Sequence, residues 1–341
     1  MSTANSAIEW TDASWNPVRG CGLVSPGCTN CYAMKFAHRF SGTGKPYGGL
    51  TKLRTKGGPV WTGAARFIPE ALAEPLRWAR PKRVFVNSMS DLFHEDVTNE
   101  QIGAVFGVMA ACPQHTFQIL TKRAERMMAW FEWVKKEGAL LPEVVGAKVP
   151  VGASGVASAC VMMAGISELG AVRFIRACET TPWPLPNVHL GVSIENQRYA
   201  DERIPHLLAT PAAVRWVSAE PLLEGVDLSS YLECVPDETN IVAPGIAWVV
   251  IGGESGPGAR PFCLSWAMNI IADCEEAGVP VFCKQLGAHP YRVTDEAEDL
   301  NVYRPEDVAE WIRLKDRKGG AMAEWPSAYL RKREFPREAA T

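Results

Sequence analysis

Residues 83–91 read RVFVNSMSD, and this stretch decides the fold class. Its first four residues are largely apolar and β-branched, and the run stops at a polar turn. A continuous apolar run of this kind predicts a strand buried on both faces, as in a parallel sheet. Five later runs share the pattern: TFQILTKR (116–123), VHLGVSIEN (188–196), VRWVSAEP (214–221), AWVVIGGES (247–255) and VPVFCKQLG (279–287). We expect an earlier strand around Ile8–Trp10.

Helical patterns separate these runs. NEQIGAVFGVMAAC follows Thr98, a suitable N-cap, and LSWAMNIIADCEEAG closes on a C-cap glycine. RAERMMAWFEWVKK and CTNCYAMKFAHRF also predict helices, the latter beginning after Pro26-Gly27. Strand–helix alternation repeated roughly seven times predicts an α/β fold built as a parallel (β/α) barrel, TIM-like and either partial or near-complete. An open doubly wound sheet is the alternative.

The domain organisation is expected to be simple, because the chain shows no internal repeat and no clean boundary. We expect one barrel domain over residues 1–290. An insertion at about 135–186 is predicted because the sequence there is rich in Gly and Ala and ends in TTPWPLPN. Residues 291–341 are expected to form a C-terminal extension that packs on the barrel.

Polar residues recur where the predicted strands end. In parallel barrels the chemistry sits at the carboxyl ends of the strands, so these residues predict one shared pocket. His94 could line that pocket or be satisfied within its loop. The strand-end residues are Asn87, Ser88, Ser90, Asp91, Thr121, Lys122, Arg123, Ser193, Glu195, Asn196, Ser218, Glu220, Gly252, Gly253, Glu254, Lys284 and Gln285.

Three cysteines lie within eleven residues in the stretch WNPVRGCGLVSPGCTNCYAMKFAHRF (15–40). They are Cys21, Cys28 and Cys31. A structural zinc site needs a fourth ligand, His38 or a distant cysteine. A redox Cys-x-x-Cys pair would leave Cys21 unexplained. An iron–sulfur cluster held by three thiolates would leave one iron open for a substrate or cofactor.

The sequence favours a reducing compartment for these cysteines. The chain has 341 residues, 47% hydrophobic content and a net charge of −3. It shows no secretory signal pattern, and the uncharged stretch Val149–Ile166 is too weak for a membrane span, so we expect a cytoplasmic protein with reduced thiols. Small buried hydrophobes are expected at the other cysteines: Cys112, Cys160, Cys178, Cys234, Cys263, Cys274 and Cys283.

Positive charge is concentrated just after the cysteines. Residues 35–83 carry eleven Lys or Arg against two acids, Glu70 and Glu74. Such a segment is either a solvated face or a track for a phosphate-bearing partner. Tyr47, Trp61 and Trp78 lie among these cations, where aromatic rings could stack on bases, or they belong to the core.

Seven motifs in this order resemble a phage- and prophage-associated three-Cys-motif family of unknown function, which is distantly similar to radical S-adenosylmethionine (SAM) enzymes. The cysteine spacing here is six then two, where radical-SAM enzymes usually have three then two. The resemblance runs from about residue 8 to 290, apart from the insertion. The motifs are WNPVRGCGLVSPGCTNCYA, VNSMSDLFH, ILTKR, LGVSIENQ, WVSAEPLL, VIGGESGPGARP and CKQLG.

The resemblance implies that Cys21, Cys28 and Cys31 hold a 4Fe–4S cluster whose open iron binds SAM. Reductive cleavage of SAM would give a 5′-deoxyadenosyl radical that attacks a substrate, and an electron donor is then required. The family is often encoded beside a three-Cys-motif partner protein. Implied cofactor-binding residues are Tyr32, Ser88, Ser90, Asp91, Lys122, Ser193, Glu195, Asn196, Glu220, Gly252, Gly253 and Glu254. Implied substrate-binding residues are Arg54, Lys56, Arg260 and Lys284.

The substrate expected from these features is a nucleobase or nucleic acid, because the three-thiol cluster lies beside a basic segment. The alternative is a non-catalytic nucleic-acid-binding protein that carries a cluster or zinc. A third possibility is SAM-dependent chemistry on a small molecule.

Overall fold

The computed structural model describes residue 6 and residues 8–55, 57–138, 182–232, 235–236, 242–243, 245–293 and 309–336. Most of the predicted insertion lies outside these residues. Lys56, the stretch Val149–Ile166 and three of the scattered cysteines, Cys160, Cys178 and Cys234, lie outside them as well.

The strands are short, and most of them coincide with the apolar runs of the sequence. They are β1 (Ala13–Trp15), β2 (Val18–Arg19), β3 (Thr51–Leu53), β4 (Pro59–Trp61), β5 (Arg66–Phe67), β6 (Arg83–Val86), β7 (Thr116–Thr121), β8 (Val188–Ile194), β9 (Val214–Ala219), β10 (Val235–Pro236), β11 (Val242–Ala243), β12 (Trp248–Gly252), β13 (Phe262–Cys263), β14 (Val281–Gln285), β15 (Pro290–Val293) and β16 (Ala309–Trp311).

The helices separate the longer strands, as the alternation predicts. They are α1 (Tyr32–His38), α2 (Pro69–Leu72), α3 (Asn99–Ala110), α4 (Ala124–Gly138), α5 (Gln197–Ala209), α6 (Ser229–Leu232) and α7 (Leu264–Ala277). Single 3₁₀ turns occur at Pro26–Cys28, Pro75–Arg77, Met322–Glu324 and Ala328–Leu330.

Seven of the strands form one parallel sheet in the order β1-β6-β7-β8-β9-β12-β14. The sheet is a half-barrel flanked by helices, which confirms the expectation of a partial, TIM-like (β/α) barrel. Strand β12 is buried along its whole length. This burial is why its sequence is continuously apolar rather than alternating.

The first sheet strand is displaced from its predicted place. Ile8–Trp10 forms a turn, and the strand paired with β6 is Ala13–Trp15, with Ala13 opposite Val84. Trp10 is nevertheless buried, with its ring edge-on to Phe85 at 4.7 Å. The sequence does not distinguish an apolar residue that packs from a turn from one that packs from a strand. The predicted strand at Ile8–Trp10 was therefore wrong, and the strand begins at Ala13.

Two helix ends follow their sequence signals. Thr98 caps α3 through a capping box in which its hydroxyl accepts from the Gln101 backbone N–H and the Gln101 side chain accepts from the Thr98 N–H. Helix α7 ends at Gly278, whose φ of 69° lies in the left-handed region that glycine adopts without strain. Both caps are confirmed.

The described contacts divide the chain into two compact units. The first comprises residues 1–24, 31–190 and 209–213, and the second comprises residues 25–30, 191–208 and 214–341. Within the first unit, the inner side of α1 presents Ala33, Met34 and Ala37 to a small apolar cluster. Tyr47 and Trp61 belong to that cluster and are buried, so they are core residues and not base-stacking rings.

The second unit has its own aromatic core. Trp216 of β9 and Trp248 of β12 lie 5.1 Å apart between ring centroids. The C-terminal segment reaches these strands, since the Trp248 indole N–H donates to the Glu334 carbonyl oxygen at 2.9 Å and the Cys283 N–H donates to the Lys332 carbonyl oxygen. In the described part of the chain, no helix is both long and apolar enough to cross a membrane.

Candidate functional site

The three clustered cysteines differ from the other described cysteines in exposure. Cys21, Cys28 and Cys31 are free thiols of intermediate exposure, whereas Cys112, Cys263, Cys274 and Cys283 are free and buried. Burial raises the pKa of Cys112 and of Cys274 to about 12. These buried thiols therefore stay protonated near neutral pH and act as small hydrophobes, as expected.

In the first unit, Cys21 lies beside a buried cation. Arg123 follows strand β7, and its Nη1 lies 3.9 Å from the Cys21 sulfur. Gly22 permits this approach, because a Cβ there would lie 3.3 Å from Nη2 of Arg123. The guanidinium therefore offers positive charge and N–H donors to this sulfur, which suits a thiolate or a thiolate-bound anionic group.

Acidic side chains hold Arg123 in that position. Its Nη1 donates to Asp91 at 3.2 Å, and its Nε donates to Glu95 at 3.0 Å. Burial opposes the charge on the guanidinium, but Asp91, Glu95 and Cys21 outweigh it and raise the pKa of Arg123 above its usual value. The cation beside Cys21 is thus permanent.

Asp91 is the centre of this network. Its carboxylate accepts from the Phe93 N–H at 3.0 Å and the Lys122 N–H at 3.2 Å. The Thr121 hydroxyl contacts both carboxylate oxygens, at 2.8 and 2.9 Å. Together with Arg123, these donors from the ends of β6 and β7 surround the buried carboxylate. Asp91 therefore joins the ends of β6 and β7.

The serines predicted at the end of β6 are also engaged within the first unit. The Ser88 hydroxyl donates to the Asn16 side-chain oxygen at 3.2 Å, and the Ser90 hydroxyl donates to the Val18 carbonyl oxygen at 2.8 Å. The Ser88 carbonyl oxygen accepts from the Tyr32 hydroxyl at 2.9 Å. The residue after Cys31 is thereby tied to the end of β6.

His94 adds a buried donor near Gly22. Its Nδ1 accepts from the Asp96 N–H at 3.2 Å, so the neutral ring carries its proton on Nε2. That Nε2 has no hydrogen-bond partner among the residues that the structure describes, and it would lie 3.6 Å from a Cβ on Gly22. Burial and the charge of Arg123 lower the pKa of His94, which keeps the ring neutral.

In the second unit, residues 25–30 are held by two carboxylates from strand ends. The Gly27 N–H donates to Glu195 at 3.4 Å, and the Asn30 side-chain amide donates to Glu254 at 2.9 Å. The same amide donates to the Gly258 carbonyl oxygen at 2.8 Å. The chain on both sides of Cys28 is therefore anchored to the carboxyl ends of β8 and β12, through the Gly27 backbone and the Asn30 side chain.

Glu195 is fully buried and is neutralised by an arginine that the sequence did not single out. Arg203 of α5 donates to Glu195 at 3.1 Å and to the Ser193 carbonyl oxygen at 2.7 Å. Its guanidinium also lies 4.3 Å from the Tyr199 ring centroid. The signal in the sequence is a lone arginine on the apolar side of the helix that follows the strand, where a buried cation needs a carboxylate.

Glu254 forms a second closed pair, with Arg260 of the same loop. The guanidinium donates to both carboxylate oxygens, at 2.7 and 3.0 Å, and the Arg260 backbone N–H adds a third bond at 2.9 Å. Burial opposes the carboxylate charge, but hydrogen bonds from Arg260 and Asn30 outweigh it and hold the pKa of Glu254 below its usual value. Arg260 is thus occupied by Glu254.

The glycines at the end of β12 serve close packing. A Cβ on Gly252 would lie 2.5 Å from Oε1 of Glu220, and a Cβ on Gly253 would lie 2.5 Å from the Leu286 carbonyl oxygen. Glu220 in turn pairs with Lys284 at 3.1 Å. The Gly-Gly-Glu sequence therefore lets three strand ends of the second unit meet.

The remaining predicted residues lie as follows. Asn196 caps α5 by accepting from the Tyr199 N–H at 3.3 Å, and the Ser193 hydroxyl donates to the Glu220 carbonyl oxygen at 3.0 Å. Arg54 is exposed at the end of β3, and Lys56 lies outside the described residues. His38, the possible fourth zinc ligand, has its Nδ1 3.0 Å from the Thr51 hydroxyl.

A family model matches residues 5–319, which is most of the chain. Its description is "protein of unknown function (DUF5131)". The chain belongs to the DUF5131 family. A search of curated proteins and a search of solved structures each find no match.

The three clustered cysteines are the candidate metal ligands of this DUF5131 chain. Within the described ranges, no three His, Cys, Asp or Glu side chains are gathered as a ready-made metal site. The chemistry of the three cysteines nevertheless fits, because they are free and partly accessible. Cys28 and Cys31 are three residues apart, so the chain limits their Cα separation to about 10 Å. A Cys-x-x-Cys spacing of this kind is compatible with two sulfurs binding one centre.

Proposed function

We propose that this protein is a radical-SAM-like iron–sulfur enzyme whose cluster is held by Cys21, Cys28 and Cys31, and that it acts on a nucleobase or nucleic acid. When bound, a 4Fe–4S cluster with SAM supplies one-electron reduction and hydrogen abstraction from the substrate. The observation that carries the proposal is the difference in solvent exposure between the clustered cysteines and the others. The three clustered thiols are accessible, and the other described thiols are buried.

The surroundings of the cysteines support the proposal in two ways. Arg123 brings a permanent positive charge to Cys21, and a cluster with three thiolates needs such compensation in a partly buried site. Glu195 accepts from the Gly27 backbone and Glu254 accepts from the Asn30 side chain, on either side of Cys28. An anchored loop holds its ligands with less loss of conformational entropy.

We propose that the strand ends bind SAM. Ser88, Ser90, Asp91 and Lys122 would serve the methionine part, although their side chains or backbone already join β6 to β7. Ser193, Glu195 and Asn196 would serve the ribose, and Glu220 with Gly252, Gly253 and Glu254 would complete the site. Because Glu195 and Glu254 are already paired with arginines, their part is to shape the site and to hold the cysteine loop.

We also propose a cellular location, binding partners and substrate contacts for the protein. Free thiols throughout the described chain suit the cytoplasm. The reaction requires an electron donor, and a three-Cys-motif partner protein is a proposed binding partner. Arg54, Lys56, Arg260 and Lys284 are proposed substrate contacts, although Arg260 and Lys284 already pair with Glu254 and Glu220.

Anaerobic reconstitution tests the function. With iron, sulfide, SAM and dithionite, we expect 5′-deoxyadenosine to accumulate, measured by liquid chromatography and mass spectrometry. A Cys28→Ser variant should form none, while Cys274→Ser, which alters a buried cysteine, should retain the activity. An intact cluster that forms no 5′-deoxyadenosine would contradict the proposed enzymatic activity. Stoichiometric, colourless zinc would instead favour a zinc-bearing nucleic-acid-binding protein.

A further inference from the structure

The outer side of α1 and the neighbouring hairpin β3–β4 form a surface, here called the α1–hairpin face, of whose described residues the proposed function uses only Arg54. The two elements are joined by the hydrogen bond of His38 with Thr51. The inner side of α1 is apolar core, as described above. The outer side exposes Tyr32 by 58% and Phe36 by 40%, and the hairpin exposes Leu53 by 65%. Large apolar side chains exposed together in this way indicate an interaction surface.

The two exposed rings are held in place. Tyr32 and Phe36 are four residues apart, so they lie one above the other on the same side of the helix. The Tyr32 hydroxyl is fixed by the Ser88 carbonyl oxygen at 2.9 Å. The Phe36 ring packs against the partly buried Phe40 ring at a centroid distance of 5.3 Å. Braced rings stack on a flat ligand with little loss of side-chain entropy.

The sequence around these two rings is rich in positive charge and contains no acid. Residues 13–69 contain eight Lys or Arg and no Asp or Glu, in a chain whose net charge is −3. Four of the cations are exposed on or beside the α1–hairpin face, and within the described residues none of the four forms an ion pair. They are Arg39, Lys45, Lys52 and Arg54.

We propose that the α1–hairpin face binds single-stranded nucleic acid, with bases stacked on Tyr32 and Phe36 and phosphates held by Arg39, Lys52 and Arg54. Aromatic platforms interleaved with cations are the means by which proteins hold single strands without reading their sequence. The paired rings favour this ligand over an acidic protein, because every base presents a π-face to a ring and an acidic protein surface offers only its charge. Binding is independent of the cluster, and only the role of the strand as substrate rests on the proposed function.

Fluorescence anisotropy of the full chain with a labelled oligothymidylate tests the proposal. We expect Tyr32→Ala and Phe36→Ala each to weaken binding roughly tenfold. The double variant Lys52→Gln/Arg54→Gln should lower the slope of log affinity against log salt by about 1.4, since each phosphate contact on a single strand contributes about 0.7. Trp311→Ala, which alters an exposed ring in the second unit, is the matched control and should change neither quantity.

Three further measurements separate the alternatives. Cys28→Ser should bind the oligonucleotide with wild-type affinity, so failure of the cluster would not be mistaken for failure of this face. Circular dichroism checks that each variant is folded. The proposal is overturned if a duplex or polyglutamate binds as tightly as the single strand, or if the ring variants bind as well as the wild type. Polyglutamate binding would assign the face to an acidic protein.

Discussion

At the scale of single residues, the site depends on carboxylates that are already paired. Asp91, Glu195 and Glu254 each meet an arginine, and each pair lies at the end of a sheet strand. Removing one partner of a buried pair leaves the other charge uncompensated, which costs more than the pair itself contributes. These residues are therefore expected to control stability as well as function.

Replacing Arg123 is expected to lower the stability of the folded protein. Arg123→Gln should lower the free energy of unfolding by about 3 kcal/mol, because Asp91 would remain buried without its cation. Urea unfolding followed by tryptophan fluorescence measures the loss. Arg80→Gln, which changes an exposed arginine of the same unit, is the control and should stay within about 0.5 kcal/mol of wild type. Equal effects of the two variants would contradict the assigned role of Arg123.

Glu254 gives a prediction on pH. Its pKa is held below the usual value in the folded protein, so its stabilisation is present above its ordinary pKa of 4.5 and is lost as pH falls through the lower folded value. Glu254→Gln should therefore cost about 2 kcal/mol at pH 7 and progressively less on acidification below pH 4.5. The exposed Glu224→Gln is the control. A cost that stays constant over this pH range would show that the carboxylate charge is irrelevant.

At the scale of elements, the sequence predicts the sheet better than it predicts the contacts between side chains. The buried runs ending at Val86, Thr121 and Gly252 are visible because two-sided burial demands continuous apolar residues. The pairing of Glu195 with Arg203 is not visible, because it depends on how the following helix turns back over its strand. The predicted strand at Ile8–Trp10 was wrong for a related reason, since Trp10 packs from a turn.

The α1–hairpin region shows the same limit for exposure. Tyr47 and Trp61 were candidates for base stacking, but they are buried under α1, whereas Tyr32 and Phe36 of that helix are exposed. A short helix with apolar residues on both sides does not reveal from sequence which side faces the core. Tertiary packing decides it, and here the small residues Ala33 and Ala37 mark the inner side.

Helix α7 provides a test at this scale. Gly278 ends the helix with a φ of 69°, and open space surrounds the position of its missing Cβ. Gly278→Ala should therefore cost about 1 kcal/mol through backbone strain alone. Gly278→Asn should cost less, because asparagine tolerates this conformation. The midpoint of urea unfolding compares the two, and an equal loss in both would indicate a steric cause instead.

At the scale of the whole molecule, the chain combines three accessible thiols, strand ends braced by ion pairs and a basic segment without acids. Within each unit, parallel strands bring their carboxyl ends to one edge of the sheet, so motifs that are distant in sequence lie close together. The chain belongs to the DUF5131 family, whose description names no chemistry.

The measurement that tests the central claim most directly is the iron and acid-labile sulfide content after anaerobic reconstitution. We expect about four of each per chain in the wild type and in Cys274→Ser, in keeping with one 4Fe–4S cluster. Cys21→Ser, Cys28→Ser and Cys31→Ser should each lose most of both. Equal iron in all of these proteins, or zinc without sulfide in the wild type, would contradict a cluster held by the three accessible cysteines.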